Sequence, residues 1–194
     1  MRTAALRRET AETDITLELS LDGGEARIAT GLTFFDHMLM QLAKHGGFGF
    51  RLEARGDLAV DSHHLVEDVG LALGDALREA LGDRRGLARW GEAHVPMDET
   101  LARVVVDLSG RPYCVFDADL PRLVLGDGFQ VEMVREFFIA LAMRAQMNLH
   151  ASVLYGQNTH HQVEALFKGL ARALKRAVRV EGDAIPSTKG TLTT

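Results

Sequence analysis

The chain carries one short cassette twice. It reads Asp61-Ser62-His63-His64-Leu65-Val66-Glu67, and again Asn158-Thr159-His160-His161-Gln162-Val163-Glu164. Each copy offers two imidazoles and a carboxylate within five residues. Apolar residues follow at helical spacing: Val69, Leu73, Ala76 and Leu77 after the first copy, Leu166, Phe167, Leu170 and Leu174 after the second. The spacing predicts that each cassette opens a helix, with Ser62 or Thr159 as N-cap. Residues i and i+4 share a helix face, so His63 points with Glu67 and His160 with Glu164. The second histidine of each pair is turned away by roughly 100°. A single His-His pair at a helix start reads better as a solvated helix start than as a ligand pair. Two copies of one pattern point instead to metal ligation, and diverging imidazoles can feed two ions.

Composition narrows the ligand chemistry. The only cysteine among 194 residues, Cys114, lies in the apolar run Tyr113-Cys114-Val115-Phe116 and reads as a core residue. A metal site must therefore use His, Asp and Glu. Hydrophobic residues make up 46% of the chain, enough for a sizeable core, and the net charge of −5 argues against a nucleic-acid binder. No apolar run approaches the roughly 20 residues of a membrane-spanning helix. The polar stretch Met1 to Thr13 lacks a signal-peptide core. The expectation is a cytoplasmic protein with no membrane partner.

The elements that position the cassettes follow from periodicity. Ile15 to Leu21 alternates as a strand, Asp22-Gly23-Gly24 turns, and Glu25 to Thr30 is expected to pair back as a hairpin. Thr33 to Lys44 has helical spacing and stops at Gly46-Gly47. Phe48 to Ala54 alternates, Arg55-Gly56-Asp57 turns, and Leu58 to Val60 returns before the first cassette helix, which runs to about Leu81. Gly82 to Gly86 is the best linker. The same order then recurs: a strand over Leu101 to Leu108, a turn, and a return over Tyr113 to Asp117. An irregular stretch from Asp119 to Asp127 leads to a helix near Val131 to Met147, a strand over Asn148 to Tyr155 and the second cassette helix. The fold class is α+β: two fused ββαββα-like half-domain repeats packing sheets against a central helix layer. One domain spans 1–194, with a first half to about 86, a second from about 87 to 181, and a tail over 182–194.

The repeat locates further ligands. Aligning Met38, Leu39 and Leu42 with Phe137, Phe138 and Leu141 sets His37 opposite Glu136. Both are candidate ligands, although Glu136 also reads as an exposed helix residue.

Further motifs bear a specific resemblance to the imidazoleglycerol-phosphate dehydratase family over almost the whole chain. They are Phe34-Phe35-Asp36-His37-Met38-Leu39, His63-His64-Leu65-Val66-Glu67-Asp68, Met97-Asp98-Glu99-Thr100, Asp107-Leu108-Ser109-Gly110-Arg111-Pro112, His160-His161-Gln162-Val163-Glu164-Ala165 and Pro186-Ser187-Thr188-Lys189-Gly190. The resemblance implies a fold like domain 2 of ribosomal protein S5. It implies dehydration of imidazole glycerol phosphate to imidazole acetol phosphate, a carbon–oxygen lyase step of histidine biosynthesis. It also implies two Mn²⁺ ions per active site, stabilising an imidazolate, and a homo-oligomer of 24 subunits built from trimers, with sites at subunit contacts. Position 136 is His in many relatives and Glu in others, as here. Zn²⁺ and Fe²⁺ would suit the same donor types.

The ligand sets expected on this basis are His37, His64, His160 and Glu164 for one metal, and His63, Glu67, Glu136 and His161 for the other. Glu12 matches the family acid/base, with Glu99 as its repeat partner and alternative. Glu12 and the ligand glutamates Glu67 and Glu164 form the expected catalytic set. Glu12, His45, Arg89, Arg111, Ser187, Thr188 and Lys189 form the expected substrate-binding set, the cationic members serving the phosphate. His45 and His150 each read as a core histidine or a substrate contact. Two other functions stand beside the dehydratase: a dinuclear metallohydrolase of a small phosphate ester, and a metal-storage scaffold, which would need no anion site.

Overall fold

In the computed structural model, which describes residues 1–192, each half runs βββαβα. The first half comprises β1 (Thr3–Glu9), β2 (Thr13–Ser20), β3 (Ala26–Ala29), α1 (Thr33–Gly46), β4 (Gly49–Gly56) and α2 (His63–Leu81). The second begins with β5 (Trp90–Met97), β6 (Thr100–Asp107) and β7 (Tyr113–Asp117). A small hairpin of β8 (Val124–Leu125) and β9 (Phe129–Gln130) follows, then α3 (Met133–Ala145), β10 (Asn148–Tyr155) and α4 (Thr159–Ala177).

The two sheets have matching orders, β1-β2-β4-β3 and β5-β6-β10-β7. This corrects two expected hairpins. The Glu25–Thr30 stretch does not pair back on β2, because β3 lies at the far edge, parallel to β4. Likewise β7 lies parallel to β10 rather than returning on β6. In each half a helix makes the crossover between the parallel pair, the connection that parallel strands require. Leu58 to Val60 is a turn closed by Val60 N–H donating to Asp57 O, not a strand. Strands β1 and β5 are additions, both at sheet edges.

Alternation buries one face of each central strand against helices. Helix α2 packs on the first sheet and on α3, and α4 packs on the second sheet and on α1, so each helix pair joins the two halves. The α2–α3 contact is close because Gly70 and Gly74 face it; a Cβ on Gly74 would sit 2.8 Å from Leu141 O. An aromatic cluster crosses the same seam. Phe35 of α1 meets Phe129 and Phe137 with ring centroids 5.7 and 5.6 Å away, and Phe137 stacks on Phe167 of α4 at 5.3 Å.

The segment read as a linker is tied down. Arg84 is 1% exposed, adopts φ 62°, and donates to Ala145 O and Gln146 O at the end of α3, both at 2.9 Å. It thereby satisfies carbonyls that a helix C-terminus leaves open.

Candidate metal and substrate site

The second cassette helix is capped by Asn158, not Thr159: its side chain accepts from His161 N–H at 3.3 Å. Ser62 occupies the corresponding position in α2 but makes no side-chain cap; Asp61 accepts from His63 N–H instead, at 2.7 Å. Both cassettes therefore start their helices as the spacing requires, with an Asx side chain holding the first turn.

Packing of α1 on α4 brings His37 to His160 and Glu164. Glu164 Oε2 lies 3.1 Å from His37 Nε2 and 2.9 Å from His160 Nε2. One donor atom from each of the three falls within 4.8 Å of the others. Phe34 presents its ring to His160 edge-on at 5.2 Å, giving this side an apolar wall. Glu164 is almost fully buried, which by itself would raise its pKa. Hydrogen bonds from Lys168, His160 and His37 outweigh burial and hold the carboxyl at about 2.

The other expected ligands are distributed differently. His63 Nε2 lies 3.5 Å from Glu67 Oε2, both near half exposure. Glu136, on α3, accepts from Arg135 at 3.1 Å. His64 and His161 stand outside the His37 group. His64 Nδ1 meets Asp57 Oδ2 at 3.0 Å, and that bond raises its pKa against the opposing effect of burial. His161 Nδ1 meets Glu99 Oε2 at 2.8 Å. Glu99 also accepts the N–H groups of Asn158 and Gln157, and these contacts with His161 drive its carboxyl far below the carboxylate range.

Glu12 lies in the turn between β1 and β2, its Oε1 3.7 Å from His64 Nε2. Thr10 Oγ1 accepts from the N–H of Glu12 and of Thr13. Buried Asp68 holds the same turn through Arg8 at 2.7 Å and Thr13 Oγ1 at 2.5 Å.

His45 is half-buried beside α4. Burial and the charges of Lys168 and Arg172 lower its pKa. It borders a cleft of about 340 Å³ with His94, Lys168 and Arg172. His150 is exposed on β10, which rules out the core reading for it.

The tail folds back on the segment that precedes β5 and on the turn after β6. Glu181 N–H donates to Gly86 O, Gly86 N–H to Ala184 O, and Leu192 is buried against Gly110. Arg89 is its anchor: Nε and Nη2 donate to Asp107 at 2.6 and 3.1 Å, and Nη1 to Pro186 O at 2.8 Å. Ser187 Oγ accepts from Lys189 N–H at 3.2 Å, shaping a turn that also holds Thr188. Among the described residues, neither the Arg111 guanidinium nor the Lys189 ammonium has a hydrogen bond or ion pair. Arg89 N–H donates to Ala177 O, at the end of α4 opposite His160. Seventeen helical steps separate His160 from Ala177, roughly 25 Å at 1.5 Å per residue.

The profile described as Imidazoleglycerol-phosphate dehydratase matches residues 30–174. The chain belongs to the imidazoleglycerol-phosphate dehydratase family. An imidazoleglycerol-phosphate dehydratase of Lacticaseibacillus casei (strain BL23) is 56% identical, over 99% of this chain and 100% of that one. That of Anaeromyxobacter sp. (strain K) is 54% identical, over 98% and 92%. Among solved structures, the dehydratase of Staphylococcus aureus superposes with a TM-score of 0.84 at 39% identity, over 92% of this chain and 99% of that one. The Pyrococcus furiosus enzyme superposes at 0.85 with 42% identity, over 96% and 100%. The chain is thus a hydro-lyase of histidine biosynthesis, and the metallohydrolase reading finds no support.

Sequence reading missed three groups at this site. Lys168 had a signal, since it stands four residues beyond Glu164 on the same helix face. Asp57 had none, and Glu99 was weighed as an acid/base rather than as the partner of a histidine.

Proposed function

We propose that the chain removes water from imidazole glycerol phosphate to give imidazole acetol phosphate, using two Mn²⁺ ions per site. It acts in the cytoplasm as a homo-oligomer of 24 subunits built from trimers. The observation that carries the metal reading is the His37–His160–Glu164 group, two imidazole nitrogens and a carboxylate oxygen within 4.8 Å. That donor set suits a divalent first-row ion, and the absence of thiolate favours Mn²⁺ over softer ions. By the repeat, His63, Glu67 and Glu136 hold the second ion. His64 and His161, held apart from these groups, complete sites of neighbouring copies. The opposite ends of α4 support sharing between copies. A substrate with three carbons between ring and phosphate cannot span the roughly 25 Å from His160 to the tail of the same chain.

Bound cations would supply Lewis-acid stabilisation of charge on the imidazole ring. The chain's own residues do the rest. Glu12 carries an exposed carboxylate with no hydrogen bond, 3.7 Å from His64 Nε2, and accepts the carbon-bound proton. The unpaired cations of Arg111 and Lys189 bind the phosphate. Arg89, committed to Asp107 and Pro186 O, holds the tail in place for them.

The test is turnover of imidazole glycerol phosphate by purified protein, followed through chelation and Mn²⁺ addition, with assembly mass recorded in parallel. Chelation should stop dehydration and yield smaller species, and Mn²⁺ should restore both. Dehydration at full rate after exhaustive metal removal would overturn the proposal.

A further inference from the structure

Two of the histidines outside the His37 group, His64 and His161, are held in the same manner. His64 Nδ1 lies 3.0 and 3.2 Å from the two Asp57 oxygens, and His161 Nδ1 lies 2.8 Å from Glu99 Oε2. A carboxylate behind Nδ1 selects the Nδ1–H form of a neutral imidazole and leaves the lone pair on Nε2. It also restrains the ring and makes Nε2 more basic.

The two halves use carboxylates from different places. Glu99 lies in the turn that precedes β6, as its repeat counterpart Glu12 lies in the turn that precedes β2; each is followed by a threonine that opens the strand. Asp57 follows β4. Counting along β4 and β10, which are both 8 residues long, the matching position in the second half is Gly156, which has no side chain. In the second half, the turn glutamate is fully engaged. Its Oε1 accepts Thr100 Oγ1 and the N–H groups of Gln157 and Asn158, and its Oε2 faces His161. In the first half, Asp57 has the histidine, and the Glu12 carboxylate has no hydrogen bond.

We propose that Asp57 and Glu99 are positioning residues that fix His64 and His161 as Nδ1–H tautomers and aim Nε2 at a metal ion. By taking this role in the first half, Asp57 leaves Glu12 free to move the substrate proton. The inference rests on the reading of His64 and His161 as ligands. It assigns one cause to two facts: the turn glutamates differ in engagement, and only the first half carries a carboxylate after its fourth strand.

The experiment combines nitrogen-15 spectra of the histidine rings in metal-free protein with Mn²⁺ titration. In the unmodified protein, His64 and His161 should both show Nδ1–H. Asp57→Ala should release His64 into a tautomer mixture and leave His161 unchanged; Glu99→Ala should do the reverse. Each should weaken Mn²⁺ binding roughly 10- to 100-fold. Asp57→Asn and Glu99→Gln keep an acceptor oxygen and avoid the folding cost of losing the other Glu99 contacts, so they should retain the tautomer and recover part of the affinity. At saturating Mn²⁺, Asp57→Ala should lower kcat with KM nearly constant, because Glu12 then turns to His64. An unmodified protein that takes up no Mn²⁺ overturns the ligand reading and this inference with it. Normal Mn²⁺ uptake, with tautomers and affinity indifferent to Asp57→Ala and Glu99→Ala, overturns this inference alone.

Discussion

Lys168 Nζ lies 2.6 Å from Glu164 Oε1, one helical turn away on α4, while Glu164 Oε2 faces His37 and His160. The two oxygens of one buried carboxylate are thus divided between a fixed cation and a pair of imidazoles. Lysine neutralises the charge of Glu164 without occupying the oxygen that faces the imidazoles, so the group is ready for an ion before one arrives.

This arrangement predicts acid lability of the metal-free protein. The Glu164 carboxyl is lowered from 4.5 to about 2, so the folded state favours its ionised form. The resulting stability is fully present above pH 4.5 and is lost as pH falls from 4.5 toward 2. A shift of this size corresponds to on the order of 3 kcal/mol. Lys168→Met removes the first of the hydrogen bonds that lower the carboxyl, so its folded-state pKa should move back toward 4.5, and its loss of stability below pH 4.5 should be smaller and end at higher pH. Urea unfolding at a series of pH values checks this; superimposable profiles for the two proteins would refute it.

Metal content should separate the ligands into two sets. His64→Ala and His160→Ala should each halve the bound Mn²⁺, and the double variant should still retain half, because both serve the same class of site. His63→Ala combined with His160→Ala should abolish binding. Elemental analysis of the purified variants decides it. Loss of all metal from His64→Ala with His160→Ala would show that the assignment by helix face is wrong.

Lys189→Ala should raise KM far more than it lowers kcat. The phosphate carries its charge equally in the ground and transition states, so its loss of a partner is a loss of uniform binding. One charge-assisted contact is worth about 1.5–3 kcal/mol, roughly 10- to 100-fold in KM. Steady-state kinetics gives the split, and equal damage to kcat would show that the tail also shields the reacting centre from water.

The helices were legible because their periodicity is local. The ends of α1, α2 and α4 fall within a few residues of the positions expected from spacing alone. Strand order was not legible. Strand β1 buries only Ala4 and otherwise reads as polar chain, as an edge strand can. The β3 stretch carries no mark that sends it across to β4 instead of back to β2. That choice is made by where α1 packs, a property of the whole half. The same limit applies to the site. The repeated cassettes reveal His160 with Glu164, four residues apart, but the hydrogen bond from His161 to Glu99 joins residues 62 apart. Hydrophobic patterning carries no record of such a pair.

The length of α4 has a genetic consequence. His160 stands at one end of the helix, and Ala177, where Arg89 begins to secure the tail, stands at the other. On the shared-site proposal, each working centre draws these two ends from different copies. A His160→Ala chain keeps an intact tail, and a Lys189→Ala chain keeps an intact metal end. Co-expressed in one cell lacking the activity, two such defective alleles should complement each other through mixed assemblies, restoring growth without histidine that neither supports alone. A strain that stays auxotrophic despite demonstrably mixed particles would mean that each chain completes its centre by itself.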